Sequence, residues 1–180
     1  GSLGVPQGDA VLAPINRLID LYRTHGLPVY VSRDWHPALH CSFADQGGPW
    51  PVHCVAGSDG ARFAPALQLD DAIVVSKATT VDVDAYSAFN GTGLADTLRE
   101  RGIRRLVVCG LATDYCVLNT VLDGFAAGFE VLLATEAIRA VNVNADDGDR
   151  ALVRMLDGGA MPVQLAGAGL VADLALGAAA

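Results

Sequence analysis

The sequence predicts an α/β domain in three layers, with a mostly parallel sheet covered by helices on both faces. Three observations predict it. Short, wholly apolar runs such as AIVV, LVV and VLL recur along the chain, as strands buried on both faces require. They alternate with segments of helical periodicity, the pattern of βαβ units. The chain of 180 residues, 52% hydrophobic and 18% charged, also suffices for one compact core without a second domain.

Taken in order, the segment from about Asp9 to His25 carries Val11, Leu12, Ile15, Leu18, Ile19 and Tyr22 at helical spacing, and Gly26 can supply a left-handed stop. VYVS (29–32) reads as a buried strand. A Pro- and Gly-rich region from about 34 to 68 follows, and so long an irregular stretch in a compact domain is usually functional. Next come strand AIVVS (72–76), helix GLADTLRERG (93–102), strand RLVVCG (105–110) and a helix from about Tyr115 to Ala127 for which Thr113 or Asp114 could be the cap. Strand EVLLAT (130–135), a helix near 147–156 and a short strand MPVQL (161–165) complete the pattern.

Charge excludes some functions. A net charge of -8, with no basic patch or run, argues against nucleic acid or an anionic membrane as the partner. No apolar run approaches the roughly 20 residues of a membrane span, and the first residues lack the basic and apolar regions of a signal peptide. The four cysteines are few for a chain that can bury a core of this size, so a reducing, cytoplasmic setting is expected. Of the twelve basic residues only Lys77 is a lysine. An ammonium is a compact point charge whose pKa moves on burial, which a guanidinium does not offer, so a task for Lys77 is indicated.

Ligands of parallel sheets bind beyond the carboxyl ends of the strands. Asp34 and His36 follow one predicted strand, Lys77 ends another, and Cys116 follows a third. Cys116 would sit at the positive end of a helix, which favours the reactive thiolate; the plainer alternative is a buried structural cysteine. Within the irregular region, DWHPALHCSF (34–43) and PWPVHC (49–54) put Asp34, His36, His40 and His53 close together. A carboxylate with two imidazoles is a common ligand set for Zn, Fe or Mn. Asp34 and His36, two apart on an extended segment, point to one face. His53 would complete the set, with His40 either a fourth ligand or a partner of the ligands.

Taken together, the segments GSL, SRDWHPALHCSF, GPWPVHC, Lys77 at a strand end, DAYSAF (84–89) and GLATDYCV (110–117) resemble the isochorismatase-like cysteine hydrolase family, and within it the nicotinamidase-like members. The resemblance covers nearly the whole chain. It implies hydrolysis of nicotinamide to nicotinate and ammonia, a step of NAD salvage, and extends to pyrazinamide. It implies a catalytic Asp, Lys and Cys, of which Lys77 and Cys116 match, and an oxyanion hole from the backbone amides of Ala112 and Cys116. Metal ligands fall on Asp34, His36 and His53, holding one divalent transition metal, zinc first and iron or manganese next. The substrate wall falls on Trp50 and Tyr86, with Tyr115 beside the nucleophile. A cis peptide is implied between Leu111 and Ala112. The partner is a small molecule, and a homo-oligomer is compatible with the reading.

One departure stands out. The family's catalytic Asp ends a first strand just before the GSL match, which here is Gly1–Leu3. A single hydrolase domain over 1–180, lacking that strand and its aspartate upstream of Gly1, is therefore the expectation. The leading helix agrees, because a crossover helix in a parallel sheet joins two strands. The alternatives are another small-amide hydrolase of the superfamily and a catalytically dead metal- or ligand-binding relative.

Overall fold

The computed structural model describes residues 2–165. The apolar runs and amphipathic segments become, in order, helix α1 (Leu12–Thr24), strand β1 (Tyr30–Asp34), strand β2 (Ile73–Lys77), helix α2 (Leu94–Glu100), strand β3 (Arg105–Leu111), helix α3 (Leu118–Ala126), strand β4 (Glu130–Arg139), helix α4 (Asp147–Asp157) and strand β5 (Met161–Val163). Besides the region after β3, two of the sequence boundaries shift appreciably. The first helix starts at Leu12, after a 3-10 turn at Gly8–Val11, and β4 runs on to Arg139. Gly26, at φ +66°, turns the chain out of α1 as expected, and the Leu27 amide closes the helix on the Tyr22 carbonyl.

The strand pairings among the described residues are all parallel, β1 with β2 and β3–β4–β5 in that order. The sheet predicted as one unit is thus divided in two. The free edges of β1 and β3 both line a cavity of about 980 Å³, flanked by Ile15 and Leu18 of α1 and by Leu94 and Leu98 of α2, with Cys116 in its wall. Among the described residues neither strand pairs with another on that side.

The layers follow from alternation along β4. Leu132 and Ala134 pack with Leu18 and Ile15 of α1. Val131 and Leu133 pack with Leu118 and Val121 of α3 and with Ala151 and Met155 of α4. Successive side chains of a strand point to opposite faces, so an unbroken apolar run is what a strand covered on both sides needs. Leu98 of α2 packs with Phe129 and Tyr30, holding the second face of the smaller sheet.

The long region between β1 and β2 is irregular, as expected, but not loose. His36 bridges to Val55 and Phe43 to Trp50. Gly48 makes the second bridge possible, because a Cβ there would lie 2.2 Å from the Ser42 carbonyl carbon. Around the buried Phe43 ring stand three imidazoles, His36 at 5.5 Å, His40 at 5.8 Å and His53 at 5.5 Å between centroids.

After β3 the structure departs from the sequence reading. Instead of a helix starting at Tyr115, a π turn spans Thr113–Val117 and α3 begins at Leu118. Neither Thr113 nor Asp114 caps it through a side chain. The amides of Tyr115 and Val117 turn back on the Ala112 carbonyl at 3.1 and 3.0 Å, so those donors need no side-chain acceptor. The Leu111–Ala112 peptide is cis.

Candidate active site

Parallel pairing sets the site. In the β1–β2 register Asp34 stands opposite Lys77, so both strands deliver their last residue to the same edge. Lys77 is 3% exposed, and its ammonium has three partners: the Asp34 carboxylate, the Ala85 carbonyl at 2.9 Å and the Cys116 thiol at 3.4 Å. Burial pulls the ammonium down, but Cys116 and Asp34 outweigh it and leave the lysine raised above its usual value. It is a charged group at neutral pH. Three strand ends therefore converge here, as the sequence indicates.

Cys116 is half-buried by exposure in the turn after β3. Burial pushes its thiol above the usual range, against the pull of Lys77 and of the Ala112 amide, which donates to the sulfur. The expected preference for thiolate at a helix start is not met in this arrangement. Desolvation disfavours the anion, and the amides of Tyr115 and Val117 are spent on the Ala112 carbonyl. A proton acceptor is needed before this sulfur attacks anything.

The residues predicted to hold a metal come together. One ligand atom from each of Asp34, His36 and His53 lies within 4.8 Å of the others. His36 is 2% exposed, and both its ring nitrogens are buried without a partner. Burial holds its imidazole down at about 4, so it is neutral and offers a lone pair. The His53 Nδ1–H donates to the Pro51 carbonyl at 2.7 Å, which fixes its tautomer and leaves Nε2 free. The neutral, partnerless His36 ring, the free Nε2 of His53 and a carboxylate fit a divalent metal ion. His40 falls outside the triad: its Nε2–H donates to Val83 O at 3.2 Å, and its Nδ1 accepts from the Ser42 amide at 3.2 Å. The structure thus gives it the role of a tie between the metal-binding loop and residue 83.

Three rings stand beside Cys116. The Trp50 Nε1–H donates to the Tyr86 hydroxyl at 2.9 Å. Tyr115, next to Cys116 in the chain, meets Trp50 edge-on at 5.0 Å and Tyr86 at 5.7 Å. They form a wall suited to a flat ring.

Sequence reasoning missed three contacts. The Asp34–Lys77 pair was legible in principle, since both residues end paired parallel strands. The Ala85 carbonyl on Lys77 is a backbone contact with no side-chain signature. Asp114, read as a cap, instead accepts the amides of Val141 and Asn142 at 3.0 and 2.8 Å.

A buried lysine on a thiol, beside a two-histidine, one-carboxylate cluster at the strand ends of a parallel α/β sheet, is an arrangement suited to hydrolytic chemistry. The chain belongs to the isochorismatase domain family, which matches residues 1–166. It is 43% identical over 188 aligned positions to the nicotinamidase of Escherichia coli, covering 92% of this chain and 88% of that protein. The pyrazinamidase of Pyrococcus horikoshii, solved in complex with zinc, superposes with a TM-score of 0.86 at 44% identity over 91% of this chain and 90% of that one. PnC1 from L. infantum, solved with nicotinate, superposes at 0.82 and 36% identity over 91% and 84%.

Proposed function

We propose that this chain is an amidohydrolase that converts nicotinamide to nicotinate and ammonia, with Cys116 as the nucleophile. The observation that carries the reading is the 3.4 Å contact between Lys77 Nζ and Cys116 Sγ beside the Asp34–His36–His53 cluster. Identity of 43% to a nicotinamidase supports the substrate.

The pyridine ring lies against Trp50 and Tyr86, with Tyr115 closing the wall, and this brings the carboxamide over the sulfur. Asp34, His36 and His53 would hold a divalent ion, zinc before iron or manganese, which when bound would supply a Lewis acid for the ring nitrogen. Cys116 loses its proton and Sγ bonds to the carboxamide carbon, as the C=O π electrons move to oxygen. The amides of Ala112 and Cys116 stabilise that oxyanion, and Lys77 stabilises the thiolate before attack. Collapse breaks the C–N bond and the departing amine takes up a proton, leaving as ammonia. Water then cleaves the thioester, releasing nicotinate and restoring the thiol.

The group that takes and returns the proton is an aspartate at the carboxyl end of a strand seated between β1 and β3. The two unpaired edges and the cavity between them support this, because that cavity reaches Cys116. Asp34 is not its substitute, since the same carboxylate belongs to the metal cluster. Pyrazinamide, a flat isostere with the same carboxamide, is a second substrate. The reaction belongs to NAD salvage in the cytoplasm.

The test is ammonia release from nicotinamide by the protein with the slot filled, compared with its Cys116→Ala variant. A protein that binds nicotinate but releases no ammonia would be a binding module, and the reading would fall.

A further inference from the structure

Asp114 stands two residues before Cys116 and does none of the chemistry above, yet it ties the nucleophile turn to a loop far along the chain. Its Oδ1 accepts the Val141 amide at 3.0 Å and its Oδ2 the Asn142 amide at 2.8 Å, 27 and 28 residues away in the chain. Both carboxylate oxygens are thus engaged by two consecutive backbone donors, an arrangement with a fixed direction as well as a charge.

The far end of the tether is itself held. Val141 and Asn142 follow β4 almost at once, and the end of β4 is in register with the end of β3, Gly110 opposite Ile138 and Leu111 opposite Arg139. Asn142 adopts φ +55° and its Oδ1 accepts the Gly148 amide at 2.8 Å, joining the loop to the start of α4. The packing leaves no slack at that joint: a Cβ on Gly148 would lie 2.6 Å from the Ala140 Cβ and 2.9 Å from Asn142 Oδ1. One side of the turn at Thr113–Val117 therefore hangs from β3 through the chain, and the other from β4 and α4 through Asp114.

What the turn carries makes this matter. It holds the Cys116 sulfur against Lys77 at 3.4 Å and follows directly on Ala112, whose amide donates to that sulfur. It also places the Tyr115 ring in the aromatic wall. Asp114 belongs to none of the apolar clusters that hold α3 and α4 on the sheet, which rest on Leu118, Val121, Ala151 and Met155. Its loss should loosen the turn while the layers stay packed.

We infer that Asp114 is a positioning residue, which aims the Cys116 sulfur and the Ala112 amide by clamping the nucleophile turn to the loop after β4. As a positioning role for the reaction, this rests on the amidohydrolase reading; as a statement about the turn, it does not. Asp114→Asn is the main variant, because it keeps the shape, can accept only one of the two amides and turns an N–H donor toward the other. Asp114→Glu restores the charge with one methylene too many. Three quantities are read: kcat and KM for nicotinamide, the rate of Cys116 carbamidomethylation by iodoacetamide followed by mass spectrometry, and the melting temperature.

For Asp114→Asn the expected result is a kcat at least tenfold lower with KM within threefold of the parent, and alkylation of Cys116 at least fivefold slower. Asp114→Glu should fall between. Parent values of kcat and alkylation in a folded Asp114→Asn protein, or failure of that variant to fold, would make Asp114 a tether of the fold alone and overturn the inference. If the parent with the slot between β1 and β3 filled releases no ammonia while the variants still alkylate more slowly, the amidohydrolase reading fails and the clamp stands.

Discussion

Lys77 Nζ sits 3.4 Å from Cys116 Sγ while the same ammonium is bound to the Asp34 carboxylate, a member of the metal-competent triad. One buried charge thus joins the nucleophile to the metal cluster. The join follows from parallel pairing, because Asp34 and Lys77 are opposite each other at the ends of β1 and β2. The lysine keeps its proton in this setting, so it can steady a thiolate but cannot create one.

Replacing the nucleophile should therefore separate chemistry from binding. We expect Cys116→Ala to lose turnover by orders of magnitude, as removal of a covalent nucleophile does. The aromatic wall and the cluster of Asp34, His36 and His53 do not involve the sulfur, so nicotinate should still bind. Ammonia assay and calorimetry measure the two effects. Turnover near the parent's rate would make Cys116 a packing residue.

The metal cluster makes a separate prediction. Protein purified without added metal should contain about one divalent transition ion per chain, read by elemental analysis. His53→Ala removes one nitrogen of the cluster and should lower metal content and raise KM for nicotinamide more than it slows alkylation of Cys116. Full activity in metal-free protein would remove the binding role given to the ion.

Much of this was readable in the residues, for physical reasons that also mark where reading stopped. Runs such as LVV in β3 and VLL in β4 announce strands because both faces are buried, and Asp34, His36, Lys77 and Cys116 gather because parallel strands share one carboxyl edge. Histidine identity alone could not separate His36 from His40. What separates them is hydrogen bonding: His40 is satisfied by Ser42 and Val83, whereas both nitrogens of His36 are left without a partner. Asp114 was misread because its partners lie 27 and 28 residues downstream, beyond any local pattern. The thiol's preference was misread because its burial outweighs the local donors, and because a helix start was assumed where a π turn stands.

Cys109 gives a prediction about stability and pH. It lies in β3, and burial pushes its thiol from the usual 9.0 to about 11. The folded protein therefore keeps this proton where the unfolded chain loses it. The associated stability is complete below pH 9, falls as pH rises between 9 and about 11, and falls no further above that. Tyr22, raised by its own burial and then by Cys109, adds a loss in the same direction at higher pH. Between pH 8 and about 11 the melting temperature of the parent should fall relative to that of Cys109→Ala, whatever their difference at pH 8. Parallel curves would mean that this thiol is not held protonated by the fold.

The slot between β1 and β3 supports the last prediction. Both edges are unpaired among the described residues, and Tyr30, Val31 and Ser32 of β1 and Val107, Val108 and Cys109 of β3 line the space between them. Unpaired strand edges in an interior leave backbone groups unsatisfied, and a strand lying parallel to both would satisfy them at once. α1 and α2 already flank the space, so such a strand would be covered on both faces, as the rest of the parallel sheet is. Its carboxyl end would arrive at Lys77 and Cys116, where a raised thiol has an ammonium beside it and, among the described residues, no carboxylate but Asp34 of the metal-competent cluster. We expect a protein extended at its N-terminus by an apolar strand ending in Asp to release ammonia from nicotinamide. Changing that Asp to Ala should cost about 10²–10⁴ in kcat, the usual range for a general acid–base group. Residues 1–180 alone should turn over far more slowly than the extended protein. Equal activity from the two would sink the assignment, and Asp34, already on the lysine, would become the carboxylate to test.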